Sequence, residues 1–271
     1  MITVHNGILQ GTEEWLELRR GMITASSIGQ LVTTRTLTAS EYPCPECDAE
    51  ETEACRSKVK AGAVIKTMHS ERVDAARSAN VAVIEPAKTP EAKTLTMLLA
   101  AERITGWSDP VYVSDDMMRG IDDEPRARDL YSQHYAPVTQ CGFMVEDRWG
   151  FQIGYSPDGL VGDDGLIEIK SRRAKAQLST ILADEVPAAN MAQLQCGLLV
   201  SGREWIDYVS YCGGMPLFVK RVFPQQEWFT ALTAAATAFE RSVTNMIGVY
   251  ELLVTDLHPT ERPLSEMEIT F

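Results

Sequence analysis

Asp158 is followed ten residues later by Glu168 and two further on by Lys170. Glu168 and Lys170 stand at i and i+2, so on a strand they share one face, while Ile167 and Ile169 point to the other and can pack under a helix. Asp163-Asp164-Gly165 is a turn signal that folds Asp158 back beside Glu168. Two carboxylates and one ammonium then converge on one patch. Carboxylate oxygens hold hard cations such as Mg²⁺, which neutralise a phosphodiester and lower the pKa of an attacking water. A nearby lysine orients that water and stabilises developing charge. Glu-x-Lys alone is common on half-exposed hairpins. The tetrapeptide Ser156-Pro157-Asp158-Gly159 just upstream tips the reading to a metal-dependent nuclease.

A second constellation carries different chemistry. Cys44-Pro45-Glu46-Cys47 forms a Cys-x-x-Cys knuckle, with Cys55 and then His69 downstream. Three thiolates and one imidazole make a closed tetrahedral set, the usual form of structural zinc. Such a metal would stabilise a segment too polar to fold alone. Arg56, Lys58, Lys60, Lys66 and Arg72 surround the ligands. This basic patch reads equally as a DNA contact or as a solvated face. Cys141, Cys196 and Cys212 lie in apolar stretches and read as small core residues.

The elements that must position these residues follow from local pattern. Thr12 caps a helix ending at Gly21, and a second helix is expected from Thr24 to Val32. Residues 36–90 are polar and read as a zinc-binding insertion. Helices are expected over 91–106, stopped by Gly106, and over 114–134, with a kink or restart at Pro125. Strands are expected at 139–145, 151–155 and 166–170, then a helix over 188–200. Two more strands, at 204–212 and 217–223, and a long helix over 225–250 complete the order. That order describes an α/β sheet with helices on its faces. The expected organisation is a nuclease domain over 1–35 and 91–255, the insertion over 36–90, and a C-terminal tail over 256–271.

Whole-chain properties restrict the function classes. The formal net charge of −13 argues against a basic coat that binds nucleic acid over the whole surface, so DNA contacts would be confined to one groove. No apolar run approaches the roughly 18 residues of a membrane span. No basic segment followed by an apolar stretch opens the chain, so a cytoplasmic protein is expected.

Five segments in order carry a resemblance. They are Trp15-Leu16-Glu17-Leu18-Arg19-Arg20-Gly21-Met22-Ile23-Thr24-Ala25-Ser26, Gly120-Ile121-Asp122-Asp123-Glu124-Pro125, Ser156-Pro157-Asp158-Gly159, Glu168-Ile169-Lys170 and Met191-Ala192-Gln193-Leu194-Gln195. The chain resembles the phage λ exonuclease / YqaJ-type family of viral recombination nucleases, a branch of the PD-(D/E)xK superfamily. The resemblance implies a restriction-endonuclease-like central mixed sheet flanked by helices, here with a small zinc-binding insertion. It implies Asp158, Glu168 and Glu124 as Mg²⁺ (or Mn²⁺) ligands with the Ile169 carbonyl, two cations per site, Lys170 at the nucleophilic water and Gln193 beside it. Arg19, Ser26 and Ser156 match positions that bind a terminal 5′ phosphate; a salt bridge and a helix cap are the plainer alternative for Arg19 and Ser26. The family has a further acidic residue about ten positions before Asp158. Here Arg148 stands there, next to Glu146 and Asp147, so that role is not carried over.

The implied function is 5′→3′ digestion of linear double-stranded DNA ends, delivering single strands to an annealing protein, by a homo-oligomer of ring-trimer form. Two other readings remain open. One is a related nuclease of other polarity or endonucleolytic habit; its iron–sulfur branch needs cysteines placed differently. The other is a non-catalytic zinc-containing DNA-binding protein.

Overall fold

Hydrophobic alternation and capping residues set out most of the elements in the computed structural model, which describes residues 1–60, 62–110 and 112–262. The expected tail at 256–271 therefore lies mostly outside the described residues. The chain opens on β1 (Ile2–His5), α1 (Glu13–Arg19) and β2 (Ile23–Thr24). Thr12 caps α1 as expected, its hydroxyl accepting from the Trp15 N–H.

The helix expected from Thr24 to Val32 does not form. Ile23 and Thr24 pair in parallel with Ile153 and Gly154. The Ser27 hydroxyl accepts from the Thr24 N–H and donates to the Thr24 carbonyl, both at 3.1 Å. Hydroxyl side chains that compete for backbone groups in this way divert a chain from the helix. Only a 3₁₀ turn at Ile28–Leu31 follows, before β3 (Val32–Thr36).

β3 pairs antiparallel with β4 (Ala82–Pro86), and this ribbon closes the polar segment that holds the cysteines and α2 (Ser70–Ala79). Next come α3 (Pro90–Thr105), ended by Gly106 in the left-handed region, and α4 (Asp115–His134). No restart occurs at Pro125: α4 runs unbroken through it. Contacts on both sides of the proline hold the helix. Ser171 donates to Asp123 at 2.7 Å, and Tyr131 donates to Asp207 at 2.6 Å. Together with buried Ala127 and Tyr131, these offset the roughly 3 kcal/mol that an interior proline costs.

The strands β5 (Phe143–Glu146), β6 (Ile153–Tyr155), β7 (Gly159–Val161) and β8 (Gly165–Ser171) follow, then α5 (Ala174–Ala183) and α6 (Ala188–Ser201). The chain continues through β9 (Trp205–Tyr211), β10 (Phe218–Val222) and α7 (Gln226–Leu253). The mixed α/β class is as expected. Its strands fall into two four-stranded sheets, β1-β5-β6-β2 and β10-β9-β8-β7, each with one parallel and two antiparallel pairings.

α6 joins the two sheets. Leu194, Cys196, Leu198 and Val200 are buried, and their cluster includes Ile23, Ile153 and Tyr155 of the first sheet and Leu166 and Tyr208 of the second. A helix apolar nearly all round belongs in the interior. Gly197 allows the close approach, since a Cβ there would lie 2.8 Å from Tyr155 Cζ. β8 is buried on both faces. Leu166 packs on the α6 side, while Ile167 and Ile169 pack on Ala127 and Tyr131 of α4.

Candidate active site and metal centre

The period of two along β8 places Glu168 on the α6 side of the strand, with Leu166. The hairpin that returns Asp158 to it is β7–β8 rather than β6–β8, in the register Gly159↔Ile167. β7 was missed in the sequence because Gly159-Leu160-Val161 is too short to show alternation. Asp158 immediately precedes it, and its Oδ2 accepts the Ile169 N–H at 2.6 Å. Glu168 Oε1 accepts from Lys170 Nζ at 2.8 Å and from Gln193 Nε2, while Lys170 Nζ donates to Gln193 Oε1 at 2.9 Å. Asp158, Glu168, Lys170 and Gln193 are thus one hydrogen-bonded neighbourhood built from β8, the loop before β7, and α6.

Glu124 lies on α4 and joins from the side. Its carboxylate is bonded to Arg128 Nη2, and Arg128 Nε donates to the Asp158 carbonyl at 2.8 Å. Arg128 is a member of the site that sequence reasoning missed, although its i+4 spacing from Glu124 on a helix was a usable signal. Tyr155, whose hydroxyl lies 3.3 Å from Glu168 Oε2, was also missed, and nothing in its spacing announced it. Glu146 pairs with Arg148 at 2.7 Å and takes no part in the cluster.

Burial and mutual repulsion shift the acids of the cluster. Burial pushes the Asp158 carboxyl well above its usual range, and the charges of Glu168 and Glu124 push it further. Burial likewise raises Glu124 despite the adjacent Arg128. On Lys170 burial acts downward, but Glu168 and Asp158 outweigh it and hold the ammonium protonated. The donors are carboxylate oxygens crowded in a dry setting, which suits a hard divalent cation. Glu124 is the looser member, because Arg128 holds its carboxylate.

Arg19, Ser26 and Ser156 are brought together through Trp15. The Arg19 guanidinium lies 4.0 Å over the Trp15 ring, and Trp15 Nε1 donates to Ser156 Oγ at 2.8 Å. Arg19 Nη2 reaches Thr24 Oγ1 at 3.3 Å and Ser26 Oγ at 3.5 Å. Among the described residues Arg19 has no carboxylate within 4.0 Å, and Ser26 caps no helix, so neither plainer alternative is what is observed. Ser156 stands two residues before Asp158, which ties this arginine–hydroxyl pocket to the carboxylates.

The ligand atoms of Cys44, Cys47, Cys55 and His69 all lie within 4.8 Å of one another, with Cys44 Sγ 3.4 Å from His69 Nδ1. That spacing fits tetrahedral zinc. Arg72, first read as part of a surface patch, is fully buried instead. Its guanidinium donates to the carbonyls of Ser40, Tyr42, Glu50 and Glu53 at 2.6–3.0 Å and approaches Cys55 Sγ at 3.6 Å. Lys58 pairs with Glu46 and Arg56 with Glu53. The basic patch therefore shrinks to Lys60 and Lys66. No helix among the described residues is long and apolar enough to cross a membrane.

Comparison with known proteins bears on the family and the fold. A family model described as YqaJ-like viral recombinase domain matches residues 66–204, a little over half of the chain. A phage zinc finger domain family, described as a candidate DNA-binding module, matches residues 15–92. None of the curated proteins matches the chain. Among solved structures, an alkaline exonuclease from Laribacter hongkongensis superposes with a TM-score of 0.66 at 23% identity, covering 91% of this chain and 100% of that one. The same enzyme in complex with dAMP gives 0.65. A phage-related exonuclease from Haemophilus somnus gives 0.50 at 12% identity, over 84% of this chain and 96% of that one. At these identities the likeness establishes a shared fold.

Proposed function

The chain belongs to the YqaJ-like viral recombinase family, and from that premise we propose that it is a DNA exonuclease that digests linear duplex from 5′ to 3′ with Mg²⁺ or Mn²⁺. The observation that carries this reading is the hydrogen bond that joins the Arg19–Trp15 pair to Ser156, just ahead of Asp158. The Arg19–Trp15–Ser156 contact, suited to a terminal phosphate, ends two residues before Asp158, whose Oδ2 accepts the N–H of Ile169 between Glu168 and Lys170. An end anchor beside a cutting site suits an enzyme that starts at termini.

Divalent cations, two in the proposed mechanism, would be held by Asp158, Glu168, Glu124 and the Ile169 carbonyl, and would supply the charge that neutralises the phosphodiester and acidifies water. Lys170, protonated and held by Glu168 and Gln193, orients the water and donates to the developing charge. Gln193 fixes the lysine. Arg128 sets where Glu124 rests.

Residues 1–35 and 91–255 form the nuclease domain and 36–90 the zinc-stabilised insertion. The enzyme works in the host cytoplasm as a ring-shaped homo-oligomer, by the family resemblance, and hands single strands to an annealing protein for phage-type recombination. Positive charge confined to such a channel reconciles a net charge of −13 with a DNA substrate.

The test compares linear duplex bearing 5′-phosphate, linear duplex bearing 5′-hydroxyl, and circular DNA, using wild type and Asp158→Ala, Lys170→Ala and Arg19→Ala. Digestion is expected on linear DNA only. It should fall about 10³-fold for the first two variants, in line with losing a preorganised charge-stabilising group. Preference for the phosphorylated end should vanish in Arg19→Ala. Equal cutting of circles would establish the endonucleolytic alternative, and wild-type rates in both site variants would overturn the site.

A further inference from the structure

Arg172 stands just past the end of β8, where its N–H still donates to the Tyr211 carbonyl of β9 at 2.8 Å. Glu168, Lys170 and Arg172 occupy alternate positions, and the side chains of Lys170 and Arg172 both reach α6. They meet two amide side chains three residues apart on α6. Lys170 meets Gln193, and Arg172 Nη2 donates to Asn190 Oδ1 at 2.6 Å. The same Nη2 lies 3.0 Å from the Tyr208 hydroxyl on β9.

Arg172 differs from most arginines here. Arg35, Arg56, Arg77, Arg103, Arg119 and Arg128 each have a carboxylate within 4.0 Å. Arg172 has none among the described residues, although the chain carries 38 acids. Among the described residues its buried Nε has no hydrogen-bond partner. Asn190 and Tyr208 offer only neutral oxygens to it. They fix the guanidinium in place and leave its charge uncompensated and its fork open. Asn190 lies in the first turn of α6, which carries no side-chain cap, so the helix end adds partial positive charge beside the guanidinium. A fixed, half-buried, unpaired guanidinium with free donors is built to receive an oxyanion.

We propose that Arg172, backed by Asn190 and Tyr208, is a further phosphate subsite, distinct from the terminal-phosphate contact at Arg19, that grips the DNA phosphodiester on the 3′ side of the one held at Asp158, Glu168 and Lys170. The proposal rests on the nuclease reading. Consecutive phosphates along a DNA strand are then matched by Lys170 on β8 and Arg172 just beyond its end, which fixes the register of the scissile bond over the carboxylates. Each such contact releases condensed counterions, so it contributes to the salt dependence of binding, whereas a merely structural arginine does not.

The experiment measures binding of a 5′-phosphorylated duplex to the full-length protein in Ca²⁺ across a KCl series, together with KM and kcat for its digestion in Mg²⁺. For Arg172→Met the slope of log K against log salt should fall by about 0.9. KM should rise roughly tenfold, on the order of a lost charge-assisted hydrogen bond, with melting temperature and zinc content unchanged. Arg172→Lys should restore the slope. Asn190→Ala, which keeps the charge but loosens it, should raise KM with the slope intact; it decides the matter should Arg172→Met fail to fold, an unchanged KM overturning the proposal. A wild-type slope in folded Arg172→Met overturns it while leaving the nuclease standing. Wild-type protein that neither binds nor digests duplex overturns the nuclease reading and this subsite with it.

Discussion

Cys44, Cys47, Cys55 and His69 are gathered by loops, whereas Asp158, Glu168 and Lys170 are gathered by a sheet. Around the four zinc ligands the buried apolar cluster consists of little more than Cys44, Ala49 and Cys55, with Cys47 and Ile65 at its edge. Around the carboxylates lies the main core of both sheets and α6. The countercharges differ in the same sense. Arg72 is buried under the thiolates and spends its donors on four backbone carbonyls. Lys170 faces its carboxylates and a glutamine from a partly open position. One region has little apolar core of its own, so a bound metal would stabilise it. The other is shaped by its surroundings and holds three acids together at an energetic cost.

Removing the metal should separate the two regions most strongly. Cys55→Ser, or stripping with a strong chelator, removes a binding free energy of about 10 kcal/mol or more that structural zinc supplies. Amide exchange over residues 40–79 should become unprotected while α6 and β8 keep their protection, and zinc should drop from one per chain to none. Asp158→Ala is the counterpart, with zinc content and protection of 40–79 as in wild type. Loss of protection in β8 on zinc removal would show that the regions are not independent.

The same contrast governs how much could be read from the chain alone. The zinc ligands are local, so a Cys-x-x-Cys knuckle and two spaced partners were enough to assemble them. Glu168 and Lys170 were legible because a strand's period of two is fixed by geometry. Asp158 was legible only with the turn, and even there the strand that returns it, β7, was too short to see. Gln193 and the Arg19 pocket came from resemblance, since nothing in local spacing puts α6 next to β8 or α1 next to Ser156. Arg72 was misread as surface charge, because the burial of an arginine among backbone carbonyls leaves no periodic trace. The helix expected at Thr24–Val32 failed for a related reason: Ile23 and Thr24 pair with a strand some 130 residues away, and a window of ten residues cannot see that partner.

A smaller effect tests the countercharge in the zinc region. Arg72→Met leaves four carbonyls and the Cys55 sulfur without their donor. Breaking a buried charged set by removing one partner typically costs about 3–5 kcal/mol. The expected result is a zinc affinity lowered by two orders of magnitude or more in a chelator competition, with duplex digestion by the zinc-loaded enzyme near wild type. Unchanged zinc affinity would mean that the loop carbonyls, and not the sulfur, are what Arg72 serves.

The smallest effect concerns pH, and it has opposite sign in the two regions. Asp158 has a folded-state pKa raised by burial, then by Glu168 and Glu124, above the value of about 3.9 in an unfolded chain. Between those two values the folded state binds the extra proton. Stability without divalent cations therefore falls as pH rises through this window, by up to about 1.4 kcal/mol per unit for one carboxyl. Asp158→Asn should flatten that part of the profile and raise the melting temperature at neutral pH, at the expense of activity. The zinc ligands respond the other way, because thiolates and a neutral imidazole must lose protons to bind metal, so falling pH releases zinc. Melting profiles of the zinc-loaded, EDTA-free enzyme against pH, with and without Mg²⁺, separate the contributions: added Mg²⁺ should cancel the high-pH loss in wild type and change nothing in Asp158→Asn. An Asp158→Asn profile as steep as wild type would place the repulsion in Glu124 or Glu168 and remove Asp158 as the acid under strain.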